Sequence, residues 1–258
     1  MSLRYSANLS ILWPTLPLAE RFQRAAAAGF DAVELWWPGD EDAALLPQLT
    51  RESGLELVLL NFDAGDMQAG DRGLLSDPKR AAQFRRNVPR ALEIAAACGC
   101  RRLNALLGLE IDGLARAEQL EIARANIRWA AEQAARSGAS VLIEAVNSYD
   151  NGPYLITGTD ASAQFIASVS AKNVVILYDV YHMTRMDEDV LSALERHWQL
   201  VSHIQIADVP GRGEPGTGTI DFAALFDWLE SRAYSGRVGL EYRPASGTAE
   251  DSFEWMAR

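Results

Sequence analysis

Short runs dominated by β-branched and other apolar residues recur eight times along the chain, at Arg4–Leu9, Asp31–Trp36, Leu55–Asn61, Arg101–Leu107, Ser140–Val146, Val174–Asp179, Ser202–Ala207 and Arg237–Tyr242. Their length and make-up predict strands. Between them the apolar positions return every three or four residues, in ERFQRAAAAG, EDAALLPQLTRESG, DPKRAAQFRRNVPRALEIAAACG, RAEQLEIARANIRWAAEQAARSG, TDASAQFIASVS, DEDVLSALERHW, IDFAALFDWLESR and a short C-terminal EDSFEWMAR. That period predicts helices burying one face. Several of them stop at glycine (Gly29, Gly54, Gly99, Gly138), which tolerates the left-handed turn that ends a helix. Strands apolar on both faces belong to a parallel sheet covered by helices. The 258 residues divided over eight units give about 32 each, the size of one βα repeat. No linker splits the chain, so the pattern predicts a single domain over residues 1–258, an α/β fold of the (β/α)8 TIM barrel type, with a doubly wound open sheet as the competitor. The longest irregular stretch, NFDAGDMQAGDRGLLS after the third strand, suggests an active-site loop.

Charge narrows the partners. The 35 acidic and 24 basic side chains give a net charge of −11, which repels polyphosphate and anionic lipid and argues against nucleic-acid or membrane-surface binding. A small-molecule substrate is the expectation, and homo-oligomerisation stays open. The two cysteines, Cys98 and Cys100, are too close for an ordinary disulfide and fit helix-end packing in a reducing cytoplasm. No apolar run approaches the roughly 20 residues of a membrane span, and MSLRYSANLSILWP lacks the apolar core of a signal peptide.

In a barrel the site lies where the strands end, so the polar residues closing each run are the candidates: Asn8, Glu34, Asn61, Asn104, Glu144, Asp179, Gln205 and Glu241. VLIEAVN, VILYDVYH, HIQIAD and VGLEYRP each set an oxygen-bearing side chain within or just after an apolar run. Three carboxylates and an amide oxygen converging from consecutive strands repel one another unless a cation or protons lie between them, and oxygen ligands suit Mg²⁺ or Mn²⁺ better than zinc. A divalent metal among Glu144, Asp179, Gln205 and Glu241 is the expectation.

Other features point to less. GRGEPG at residues 211–216 satisfies G-x-G-x-x-G, but it follows the seventh strand and carries Glu214 and Pro215 where a pyrophosphate needs free N–H groups. Lys79 and Lys172 close no strand, which argues against a Schiff-base aldolase. His197 and His203 read as packed residues, and one of Trp13, Trp36 and Trp37 is expected to wall the pocket.

ANLSILWP, GFDAVELWWP, AGDMQAGDRG, LIEAVN, YDVYHMTRM, HIQIAD, RGEPGTGTI and GLEYRP together resemble the hydroxypyruvate isomerase family of xylose-isomerase-like barrels, over nearly the whole chain. The resemblance implies a metal held by Glu144, Asp179, Gln205 and Glu241, with Glu144 and Glu241 also forming the acid–base pair. It places His182 and Arg212 in the pocket as ligands of substrate oxygens. Related ketose epimerases have histidine where this sequence has Gln205, a weaker ligand. The reaction implied is hydroxypyruvate to tartronate semialdehyde through an enediolate, within glyoxylate metabolism. A 2-oxo-tetronate isomerase or a ketose 3-epimerase using the same site is the alternative, with a metal-dependent lyase and a non-catalytic sugar-acid binder further away. Three histidines argue against the trinuclear-zinc nucleases that share the barrel.

Overall fold

All eight expected strands form in the computed structural model, which describes residues 2–245 and 247–257. They are β1 (Arg4–Asn8), β2 (Ala32–Leu35), β3 (Glu56–Asn61), β4 (Arg102–Asn104), β5 (Ser140–Glu144), β6 (Val174–Asp179), β7 (Val201–Ile206) and β8 (Arg237–Leu240). Each pairs in parallel with its neighbour in sequence, and β1 pairs with β8, so the sheet closes into a barrel. The open doubly wound alternative is excluded.

Most expected strands ran a residue or more too far. Of Arg101–Leu107 only Arg102–Asn104 pairs as β4, while Ala105, Leu106 and Leu107 are buried beyond its end. Their hydrophobicity reflects burial at the rim rather than sheet pairing. The expected helix EDAALLPQLTRESG divides into Asp40–Ala43 and Leu46–Ser53, with Pro47 in the first turn of the second, where its missing N–H is no loss. Pro89, by contrast, lies inside the helix Ala81–Ala97 without ending it. The C-terminal stretch is a 3₁₀ helix, Asp251–Ala257, and its last residue, Arg258, lies outside the described residues. Three short helices were not expected from periodicity: Leu9–Leu12, Ser148–Asn151 and Val180–Arg185.

The main core lies between barrel and helices and includes Phe22, Phe84, Val88, Ile127 and Leu194. A second, small cluster of Leu59, Leu142 and Leu177 is separate from it. Side chains alternate faces along a strand, so these leucines, two residues before Asn61, Glu144 and Asp179, form an apolar floor inside the barrel beneath them. On the opposite side, around β7, β8, β1 and β2, the same level is polar, with Ser6, Glu34 and His203 all buried. Gly239 makes room there, since a Cβ at that position would stand 2.4 Å from Glu34 Oε2.

Candidate active site

Glu144, Asp179 and Gln205 sit on the last turns of β5, β6 and β7, and Glu241 directly follows β8; all four are buried. Asp179 and Gln205 are partners in the β6–β7 register. Oxygens of Glu144, Asp179 and Glu241 and a ring nitrogen of His182 all lie within 4.8 Å of one another. The expected strand-end residues are therefore brought together, with His182 among them.

The three unexpected short helices explain how the site is aimed. Asn8, Asn147 and Asp179 each cap one, accepting from the N–H of Ser10 (3.0 Å), Asp150 (2.9 Å) and His182 (3.1 Å). Capping uses one side-chain oxygen and leaves the other polar atom to face the barrel. Asn8 Nδ2 donates to Glu241 Oε1 at 3.0 Å and to Glu34 Oε1 at 3.2 Å. Asn147 Nδ2 contacts His182 Nδ1 at 2.6 Å, and the Asn147 backbone N–H donates to the same nitrogen at 3.3 Å. A backbone donor requires the Nδ1 lone pair, so the proton of neutral His182 is on Nε2. That Nε2 stands 3.7 Å from Glu144 Oε1 and 3.6 Å from Asp179 Oδ2.

The carboxylates differ in their surroundings. Glu144 receives Asn104 Nδ2 at 2.6 Å; burial, and then the charges of Glu241 and Asp179, push its carboxyl well above the ordinary range. Burial likewise pushes Asp179 up to about 8, with Arg212 opposing the shift and Glu241 adding to it. Glu241 accepts from Trp36 Nε1 at 2.7 Å and Arg212 Nη2 at 2.6 Å, besides Asn8. Burial, together with Arg212 and Arg72, holds His182 far below its usual range, which keeps the ring neutral.

The donor set fits a hard divalent cation. Gln205 Nε2 is committed to Glu34 at 2.6 Å, and its Oε1 is buried with no hydrogen-bond partner among the described residues. A buried, unpaired amide oxygen on the strand position beside Asp179 suits a hard cation. His182 also stands near the carboxylates, but the proton on its Nε2 makes it a donor rather than a ligand.

Glu144, His182 and Glu241 open onto a cavity of about 320 Å³ that Trp36 and Arg212 also line, whereas Asp179 and Gln205 are not among its lining residues. Trp36 is thus the expected aromatic wall; Trp13 instead donates to Glu250 and lines a neighbouring cavity. Arg212 reaches the site from the loop after β7, where its guanidinium lies on the Tyr181 ring and contacts Glu241 and, at 3.5 Å, Asp179. That loop is folded on the buried Asp208, which accepts from the N–H groups of Gly216 (3.0 Å) and Gly218 (2.7 Å). The glycine-rich segment therefore spends the N–H groups of Gly216 and Gly218 internally. His203 is buried and its Nε2 donates to the Glu34 carboxylate at 2.7 Å, and His197 pairs with Asp160 near the surface. Burial pushes the Cys100 thiol up to about 12, which suits inert packing.

Several lining residues escaped the sequence reading: Arg72 and Tyr154 from loops, and Asn151 from the end of the short helix Ser148–Asn151. The loop NFDAGDMQAGDRGLLS was singled out, and Met67, Gln68 and Arg72 do line the cavity, but nothing in its composition distinguished Arg72 from its neighbours.

The xylose isomerase-like TIM barrel family model matches residues 22–258. A hydroxypyruvate isomerase of Escherichia coli is 38% identical over 98% of this chain and 98% of its own length. A 2-oxo-tetronate isomerase of Cupriavidus necator is 37% identical over 95% of each. Among solved structures, a Brucella melitensis protein described as AP endonuclease, family 2, is 38% identical with a TM-score of 0.92, covering 99% of this chain and 98% of that one. Sequence, barrel and full-length relatives agree, and the chain belongs to the xylose isomerase-like TIM barrel family.

Proposed function

We propose that the protein isomerises hydroxypyruvate to tartronate semialdehyde, moving one proton between adjacent carbons of a short keto acid. The observation that carries this reading is the placement of Glu144 and Glu241, from β5 and β8, on one cavity; relatives named hydroxypyruvate isomerase and 2-oxo-tetronate isomerase set the reaction class.

The reaction removes a proton from carbon three, passes through an enediolate, and returns a proton to carbon two, while the hydroxyl proton moves from one oxygen to the other. Glu144 is the better-suited base, because burial and neighbouring carboxyls raise its proton affinity toward the working pH. Glu241, fixed by Asn8, Trp36 and Arg212, serves as the partner that exchanges the second proton. His182 donates through Nε2 to a substrate oxygen, and Arg212 supports the same oxygens and neutralises charge in a protein that carries −11 overall. Glu144, Asp179, Gln205 and Glu241 would hold Mg²⁺ or Mn²⁺, whose charge, when bound, polarises the carbonyl and spreads the negative charge of the enediolate. We place the enzyme in the cytoplasm, where Cys98 and Cys100 stay reduced, and its reaction in glyoxylate metabolism.

The cavity favours a second reading beside the first. At roughly 30 Å³ per water it has room for about ten waters, more than a three-carbon acid fills, so a four-carbon 2-oxo-tetronate also fits. Proton NMR of the purified enzyme with each acid in D₂O, with Mn²⁺ and with EDTA, tests both. Deuterium entering carbon two together with a new aldehyde signal is expected for hydroxypyruvate. Turnover of free ketohexoses at an equal rate would replace the keto-acid reading with an epimerase.

A further inference from the structure

A catalytic cavity built around carboxylates also carries positive charge that those carboxylates do not use. Arg72, Arg212 and Arg243 all line it. Arg212 is spent on Glu241 and Asp179. Arg72 is not spent in this way. Its Nε donates to Asn151 Oδ1 at 2.7 Å, and its Nη1 donates to the backbone oxygens of Met67 (3.0 Å) and Asp71 (2.7 Å). All three acceptors are neutral, no carboxylate oxygen among the described residues lies within 4.0 Å of it, and Nη2 has no partner among them. The adjacent Asp71 is bound instead to Arg80 at 2.6 Å.

The placement of Arg72 is rigid. Gly73, the next residue, packs so tightly on the segment after β4 that a Cβ would lie 2.1 Å from the Leu106 carbonyl oxygen, and its φ of +119° is open to glycine alone. Gly73 and Leu107 form an antiparallel bridge. A half-buried guanidinium is thus clamped in the cavity wall by neutral groups, beside two more guanidinium groups that repel it. A protein with 35 acidic side chains had the means to neutralise it locally. Arg72, a fixed cation with no carboxylate partner among the described residues, complements an anion, just as the crowded carboxylates opposite complement a cation.

We propose that Arg72, assisted by Arg243, is the specificity-determining residue that binds the carboxylate of the substrate, leaving Arg212 to the reacting oxygens. This deepens the keto-acid reading and rests on it. It assigns the acid group to the loop after β3, so that the substrate spans from Arg72 to the Glu144–Glu241 pair. A neutral sugar gains nothing from this contact.

Binding of D-glycerate, which has a carboxylate and a diol but no carbonyl to isomerise, and of glycerol, which lacks the carboxylate, separates the proposal from the reaction. Calorimetry with the wild type, Arg72→Met, Arg72→Lys and Arg243→Met is expected to show glycerate weakened at least tenfold by Arg72→Met. Arg72→Lys should be intermediate, because it keeps charge without the fork, Arg243→Met should lose about threefold, and glycerol should shift less than twofold throughout. Thermal melting checks that each variant is folded, and the lysine variant keeps the test valid if Arg72→Met is not. Glycerate affinity within twofold of wild type in both Arg72 variants, or no glycerate binding by the wild type, overturns the assignment, as does inorganic phosphate binding more tightly than glycerate in an Arg72-dependent way. Arginine-dependent glycerate binding without hydroxypyruvate turnover upholds the anion site and removes the isomerase reading.

Discussion

Glu34 and Glu144 are both buried glutamates at the end of barrel strands, yet the two sides of the barrel treat their charges oppositely. Glu34 lies on the side of β7, β8, β1 and β2, where Ser6, Asn8, His203 and Gln205 surround it at 2.6–3.2 Å. Burial works to raise its carboxyl, but the charge and hydrogen bond of His203 and the other donors outweigh it and hold the group below the ordinary range. Glu144 lies on the other side, above the Leu59–Leu142–Leu177 floor, with Asn104 as its donor. There burial and two neighbouring carboxyls win. Equal burial gives opposite outcomes because the neighbouring charges, and then the fixed donors, decide. One charge is settled by the fold, and the other is left for a proton or a cation to settle.

The strongest way to break this contrast is to remove the unsettled charges. Glu144→Gln and Glu241→Gln should each lower kcat at least about a hundredfold, the low end for general acid–base catalysis, with unchanged circular dichroism. A variant keeping more than a tenth of wild-type kcat, a barrier change below about 1.4 kcal/mol, would show that its glutamate moves no proton.

The same substitution should have opposite effects on stability on the two sides. Glu34→Gln breaks a buried pair with His203 and is expected to cost about 3 kcal/mol in urea unfolding, whereas Glu144→Gln relieves carboxyl crowding and should leave the metal-free protein equally or more stable. Equal losses in both would dissolve the distinction.

A pH series sharpens it. Asp179, at about 8 in the fold against 3.8 for an ordinary aspartate, binds a proton more tightly folded than unfolded. Its stabilising contribution is therefore complete below about pH 4 and is lost as pH rises toward 8. Unfolding free energy of the metal-free protein should fall by about 1 to 2 kcal/mol from pH 5 to 8 through this group and its coupled neighbours. Asp179→Asn or saturating Mn²⁺ should flatten the slope. A wild-type slope matching that of Asp179→Asn would refute the assignment.

The smallest effect concerns the link between the two sides. Gln205 is anchored on Glu34 and is the register partner of Asp179; since it is one of the proposed metal ligands, Gln205→His should tighten Mn²⁺ binding about tenfold, or 1.4 kcal/mol. Equal affinity by calorimetry would place the amide outside the metal shell.

The barrel was readable because its strands carry apolar runs and its helices a different period, a local signal repeated eight times. The oxygen-bearing residues were readable because a carboxylate inside an apolar run is chemically conspicuous. Strand ends were less so, since Ala105, Leu106 and Leu107 are apolar for burial and not for pairing. What Asn8, Asn104 and Glu34 do was hidden for a different reason. Each was visible as a polar strand end, but its partner lies on another strand, 233 residues away in sequence for Asn8 and Glu241, and no local pattern encodes that pairing. The capping helices did leave a trace, an Asn or Asp straight after an apolar run, too short for a period to register. Arg72 is fixed by backbone oxygens of its own loop and by the approach of Gly73, neither of which is a side-chain pattern.

The missing side chain at position 239 constrains how this barrel can change over generations. Because a methyl there would stand 2.4 Å from Glu34, alanine cannot arise first while Glu34 is in place. A lineage must give up the glutamate before it can fill the gap, and that earlier step strands His203 and frees Gln205. The order of substitutions is thus dictated, and its intermediate is the least fit member of the path. Gly239→Ala should accordingly be harmful alone and milder in a protein already carrying Glu34→Ala, a sign of historical contingency written into a single hydrogen atom.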